Sequence, residues 1–199
     1  PQDQEARFSL GIVQFLQAVE KLGQDQFRYG LLGNRRRAIP FMRLPIGENS
    51  KPEQLSYEKA CRMVEGFLDG LKVAEATLAE TKPSNVKLRL KIGQIRLDLD
   101  GDGVATDEES FWRVLEAVQG GGRLNEPDPD VNQFVIAFDD GDVLWLRGYC
   151  HVMSTLGEVV LAYHWKDQFE RTAHLFYPEV DTPYAYLATE GTGPFNGFN

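Results

Sequence analysis

The sequence has few cysteines, few methionines and no long apolar run. Its 199 residues include two cysteines, Cys61 and Cys150, and three methionines. Two cysteines without a CxxC pair exclude a dense disulfide framework and a cysteine-rich metal site. We expect them to be buried free thiols, with a disulfide in an oxidising compartment as the alternative. No stretch approaches the roughly 18 apolar residues of a transmembrane helix, so we expect no membrane span.

Positive charge is also scarce. There are 21 lysines and arginines against 30 aspartates and glutamates, which gives a net charge of −9. The only basic run, at residues 35–37, is three residues long, so nucleic acid is not an expected partner. Six of the acidic residues lie within residues 98–109, which contain no basic residue. One short segment therefore carries two thirds of the net charge, as a cation site would require.

This acidic segment reads DLDGDGVATDEE and places oxygen-bearing side chains at regular intervals. A hard divalent cation needs about six to eight oxygen ligands. Gly103, at the sixth position, permits the sharp turn that would point alternate carboxylates into one concavity. The predicted metal ligands are the side chains of Asp98, Asp100, Asp102, Thr106 and Glu109 and the backbone carbonyl of Val104.

The segment at 98–109 resembles the twelve-residue calcium loop of the EF-hand family. The resemblance is strong over those residues and weak over the flanking segments, where Gly93 and Gln94 depart from the usual leading helix. It implies Ca²⁺ as the cofactor and an EF-hand-like unit at about 86–119. EF-hand sensors have several loops and Met-rich grooves, whereas this chain has one good loop. We therefore expect calcium to act as a structural staple and not as a signal.

A second, degenerate loop is a weaker possibility at 128–139. Asp128, Asp130, Asn132 and Asp139 would supply ligands, but Gln133 stands where a loop needs glycine. An ordinary polar loop is the favoured interpretation.

More loosely, four blocks resemble a family of exported bacterial proteins with no known activity. These blocks are PFMRLPIGEN, IRLDLDGDG, WLRGYCH and VDTPYAYL. The resemblance leads us to expect an exported protein with a periplasmic or extracellular location. The chain also opens on PQDQEARF without methionine, which fits either an expressed fragment or a mature protein whose N-terminus has been removed.

Hydrophobic periodicity predicts a mainly α fold, a single helical bundle over 1–199 with a Pro/Gly-rich tail at 178–199. Residues 86–97 fit either a helix, as an EF-hand requires, or a strand, and we expect the helix. Short β segments are expected near 104–106 and 134–138, where they could pair. The expected helices cover residues 8–30 with a break near Gly23, 56–80, 107–119, 140–165 and 167–176.

The helix at 140–165 is apolar nearly all round, which predicts a central position in the fold. Arg147, His151 and Glu158 interrupt it at helical spacing and form one polar stripe. One interpretation is a pocket with His151 as acid or base, in a calcium-stabilised enzyme. The favoured one is a buried network in which Arg147 and Glu158 pair with loop residues, because no GxSxG, HExxH or P-loop motif is present.

A third hypothesis is an interaction module that binds an unidentified protein partner. The aromatic residues of the tail would form its surface: Tyr177, Tyr184, Tyr186, Phe195 and Phe198.

Overall fold

A computed structural model describes residues 3–33, 43–82, 86–118, 133–184 and 186. Within these ranges the fold is mainly helical, as predicted. A two-stranded sheet and two 3₁₀ turns, Ile92–Gln94 and Ala173–Leu175, complete the regular structure. None of the helices in the described ranges combines the length and the apolar character that crossing a membrane requires. The elements are α1 (Gln4–Arg28), α2 (Tyr57–Ala79), β1 (Leu88–Lys91), α3 (Phe111–Val118), β2 (Val135–Phe138), α4 (Asp140–Ala162) and α5 (Lys166–Thr172).

The first helix is continuous, so the predicted break near Gly23 is wrong. Asp3 caps α1, because its carboxylate accepts hydrogen bonds from the N–H groups of Glu5 and Ala6 at 3.0 and 3.2 Å. Gly23 is buried, and a Cβ there would lie 2.7 Å from Cδ2 of Leu99. This glycine therefore allows the acidic segment to pack closely on α1 and does not end the helix.

The second helix packs against α1 and also against α4. It begins after Ser56, as predicted, and the Ser56 hydroxyl accepts a hydrogen bond from the Lys59 N–H at 3.3 Å. Glycines mark both contacts. A Cβ on Gly70 would lie 2.6 Å from Cβ of Ala18 on α1, and one on Gly157 of α4 would lie 2.6 Å from Cδ2 of Leu68. α2 therefore forms the centre of the helical layer.

The segment before the acidic loop is extended, so the predicted helix over 86–97 is wrong. β1 pairs antiparallel with β2, with Leu88 opposite Phe138 and Lys91 opposite Val135. The short strand expected near 134–138 is therefore present, but its partner is β1. Residues 104–106 form no strand. The alternating pattern of β1 prevails over its helical spacing because β2, whose residues lie 44 to 50 positions away, pairs with its backbone groups.

The fourth helix is not central, contrary to its all-round apolar character. Residues on one side are buried, among them Val143, Leu146 and Cys150. The opposite side faces outward, and its large apolar side chains are 40–65 % exposed. α2 covers only one side of α4, which explains the difference. The outward residues are Leu144, Trp145, Val152, Leu156, Val159 and Val160.

Candidate metal centre

The acidic segment is a turn whose two ends are held together by antiparallel backbone pairing. The N–H of Leu97 donates to the Glu109 carbonyl at 3.1 Å, and the N–H of Phe111 donates to the Ile95 carbonyl at 3.0 Å. Between these bonds, Arg96 lies opposite Ser110. The turn therefore joins an extended segment to α3, where an EF-hand would join two helices.

The first limb of the turn is fixed to α1. The N–H of Asp98 donates to Oε2 of Glu20 at 2.9 Å, and Nε2 of Gln24 donates to the Asp98 carbonyl at 2.8 Å. The next residue, Leu99, is fully buried over Gly23. Sequence reasoning missed Glu20 and Gln24, because no local pattern links them to a loop more than 70 residues away.

Backbone N–H groups inside the turn hold the first aspartate in place. Oδ1 of Asp98 accepts from Gly101 at 2.8 Å, and its Oδ2 accepts from Gly103 at 3.1 Å. Both glycines have positive φ, +77° and +84°, which an L side chain rarely adopts. Similar short-range bonds run from Asp102 N–H to Asp100 and from Val104 N–H to Asp102, at 3.0 and 2.7 Å. The turn is therefore shaped by its own carboxylates.

The carboxylates of Asp98, Asp100 and Asp102 converge. One oxygen of each lies within 4.8 Å of the others. Among the described residues, none of the three forms an ion pair with a lysine or arginine, whereas Asp107 pairs with Arg96 at 2.8 Å. Burial, together with the smaller effect of the negative charges on Glu109, Asp102 and Asp98, raises the pKa of the Asp100 carboxyl. The site thus concentrates negative charge, and no lysine or arginine in the described part of the chain pairs with it.

Glu109 has a different position from the three aspartates. It is 7 % exposed and does not belong to the converging group. Its Oε1 accepts from the N–H groups of Leu99 and Asp100 at 2.7 and 3.3 Å. Its Oε2 accepts from the N–H and hydroxyl of Thr106 at 2.9 and 2.8 Å. Of the predicted side-chain ligands, Glu109 and Thr106 therefore tie the two limbs of the turn together.

Residues 128–132 of the weaker candidate loop lie outside the described residues. Of its remaining positions, Ile136 lies in β2. Asp139 caps α4 through a hydrogen bond at 2.7 Å from the Gly141 N–H. A helix cap accounts for Asp139 without a metal.

The polar stripe on α4 meets a carboxylate that the sequence did not single out. Nε and Nη2 of Arg147 donate to Oε1 of Glu75 on α2 at 3.1 and 2.9 Å. Nε2 of His151 lies 3.5 Å from the same oxygen, and its side chain is 66 % exposed. Glu158 is exposed. The predicted pairing of Arg147 is therefore present, but with a neighbouring helix and not with a loop.

Both cysteines are free, as expected, with Cys150 buried and Cys61 half-buried. Of the predicted aromatic surface, Tyr177 is buried and Tyr184 lies under the Arg171 guanidinium at 5.2 Å. Tyr186 is exposed, and Phe195 and Phe198 lie outside the described residues. At least one member of that surface is thus part of the core.

No family model, curated protein or solved structure matches this chain. Function must be inferred from the chemistry of its own residues.

Proposed function

We propose that the turn at 98–109 binds a calcium ion and that calcium acts as a structural staple. The convergence of Asp98, Asp100 and Asp102, with no basic partner among the described residues, carries this proposal. Like charges held together destabilise a fold unless a counter-ion neutralises them. A bound divalent cation would supply that neutralisation and hold the turn closed.

The donor set favours calcium over other common metals. All candidate ligands are oxygens, whereas zinc and copper favour nitrogen or sulfur ligands. Magnesium demands near-ideal octahedral geometry and keeps several waters, while calcium accepts a flexible set of six to eight oxygens. Asp98, Asp100 and Asp102 would hold the ion, and the Val104 carbonyl, Thr106 and Glu109 are the further donors within the turn.

A staple fits the surroundings of the turn better than a sensor does. Buried Leu99 and the hydrogen bonds to Glu20 and Gln24 fix the first limb on α1. A sensor needs an element with two alternative positions, and this limb is anchored in one. We also propose a periplasmic or extracellular location, where a site of modest affinity is filled by abundant calcium.

An enzymatic role is not part of the proposal. Arg147 is engaged by Glu75, and His151 is exposed beside the same carboxylate. A paired arginine on the surface of two packed helices is typical of structural ion pairing.

Calcium should raise the thermal stability of the protein. At 100 times the dissociation constant, binding adds about 2.7 kcal/mol, which for a domain of this size raises Tm by about 5–10 °C. The measurement is a thermal melt followed by circular dichroism in EGTA, in millimolar calcium and in millimolar magnesium. Calcium should give the larger shift.

The Asp100→Asn/Asp102→Asn double variant should lose most of the calcium-dependent shift. Glu108→Gln is the matched control, because Glu108 is an exposed acidic residue of the same turn outside the converging group. An equal calcium shift in the double variant and wild type, or no shift in wild type, would contradict the proposal.

A further inference from the structure

A cavity of about 390 Å³ lies between α1, the β1–β2 ribbon, α3 and α4. Phe15 and Val19 of α1 lie on one side of it, Ile136 of β2 and Val114 of α3 line other parts, and Tyr149 of α4 contributes a further wall. No residue of the turn at 98–109 belongs to this lining. The cavity is therefore separate from the calcium site.

The wall of this cavity is almost entirely apolar. Aliphatic and phenylalanine side chains form most of it, and its polar groups belong to Asp142, Trp145 and Tyr149. Oδ2 of Asp142 already accepts a hydrogen bond from the Asp139 N–H at 2.7 Å. The Tyr149 ring stacks on Trp145 with centroids 5.3 Å apart and meets Phe15 edge-on at 5.9 Å. The lining therefore offers flat aromatic surfaces and few groups that could hold water.

The volume is large for a folded interior. Protein cores pack like organic crystals and contain few voids larger than a water molecule. A cavity of 390 Å³ falls within the range of about 300–1,000 Å³ that is usual for small-molecule sites. Trp145 both lines the cavity and is 65 % exposed, so the cavity reaches the surface beside this residue. A ligand could therefore enter from the outer side of α4.

We propose that this cavity is a binding site for one uncharged, mainly hydrocarbon small molecule, such as a medium-length alkyl or aromatic compound. The apolar wall favours a hydrocarbon ligand, because binding removes the apolar surface of the ligand from water. The Asp142 carboxylate disfavours an anionic group inside the cavity. A hydroxyl group of the ligand could be placed next to Asp142 or Tyr149.

The first test uses N-phenyl-1-naphthylamine, an uncharged aromatic probe whose fluorescence rises in apolar surroundings. Wild-type protein should bind one probe saturably, and dodecan-1-ol should displace it. Dodecanoate should compete about tenfold less well, because its carboxylate would approach Asp142. Absence of saturable binding would overturn the proposal, and that result would follow if a segment of the chain itself occupies the volume.

A matched pair of variants tests the location. Val19→Phe/Val114→Phe places two rings in the cavity and should weaken probe binding by more than about tenfold. Val13→Phe/Val73→Phe makes the same change at exposed positions outside the cavity and should leave binding unchanged. Equal effects of the two pairs would show that the probe binds elsewhere.

Fluorescence energy transfer tests the location without requiring that the protein fold with two added phenylalanine rings. Excited Trp145 should transfer energy to the bound probe, so Trp145→Phe should reduce the transfer. Trp165→Phe should reduce it less, because transfer falls steeply with distance and Trp165 does not line the cavity. The reverse pattern would overturn the assignment.

Discussion

Replacing Glu109 by alanine should destabilise the protein even without calcium. Glu109 is buried and accepts four hydrogen bonds, two from each limb of the turn. Glu109→Ala removes all four acceptor interactions. The turn should loosen although none of the three converging carboxylates has changed.

The expected loss of unfolding free energy comes mainly from the backbone N–H of Leu99, which would lose its acceptor. Leu99 is fully buried, and an unsatisfied N–H there costs about 1–3 kcal/mol. Thr106 is exposed and Asp100 is half-buried, so water can replace the carboxylate at their donors, which together add about 1 kcal/mol. Removing the Glu109 charge relieves its repulsion of Asp100, which offsets at most about 1 kcal/mol. We expect a net loss of about 2 kcal/mol.

The assay is urea unfolding in EGTA, followed by circular dichroism. Glu108→Ala is the control, because Glu108 is the exposed neighbour, and it should stay within about 0.5 kcal/mol of wild type. Asp102→Asn should behave like this control in EGTA, yet should lose the stabilisation that calcium gives. If Glu109→Ala matches wild type in EGTA with an unchanged denaturant slope, Glu109 does not tie the limbs together.

Two further predictions concern helix packing and thiol reactivity. Gly70→Ala should destabilise by about 1–3 kcal/mol, because the new Cβ would lie 2.6 Å from Cβ of Ala18. Gly148→Ala is the control, because a Cβ there meets nothing within 4 Å, and it should stabilise the protein by about 0.5–1 kcal/mol in the same thermal melt. If both substitutions change the stability in the same direction, the close contact between Gly70 and Ala18 is refuted. Cys150 should react with iodoacetamide at pH 8 at least about tenfold more slowly than Cys61, because it is 1 % exposed and burial raises its pKa to about 11. Equal rates in native protein, measured by peptide mass spectrometry, would contradict that burial.

The sequence alone determined those features whose interacting residues lie close together in the chain. The helix cap at Ser56 is predictable because its hydrogen bond joins two residues only three positions apart, Ser56 and Lys59. The convergence of Asp98, Asp100 and Asp102 follows from alternate spacing and from glycines that accept positive φ. In these cases the partners are fixed by a few backbone dihedrals, so a local pattern is enough to predict them.

Only the tertiary structure decided the features whose partners lie far apart. The segment at 86–97 fits two periodicities, and pairing of β1 with β2 selects the strand. α4 is apolar nearly all round, but whether a side is buried depends on which helices lie beside it, and α2 covers one side only. Glu75 is the partner of Arg147, and Glu20 supports the turn at 98–109, because packing of helices brings together residues that are 72 and 78 positions apart. Hydrophobic patterns specify which surfaces favour burial but not what covers them or whether anything does, because burial free energy has no direction.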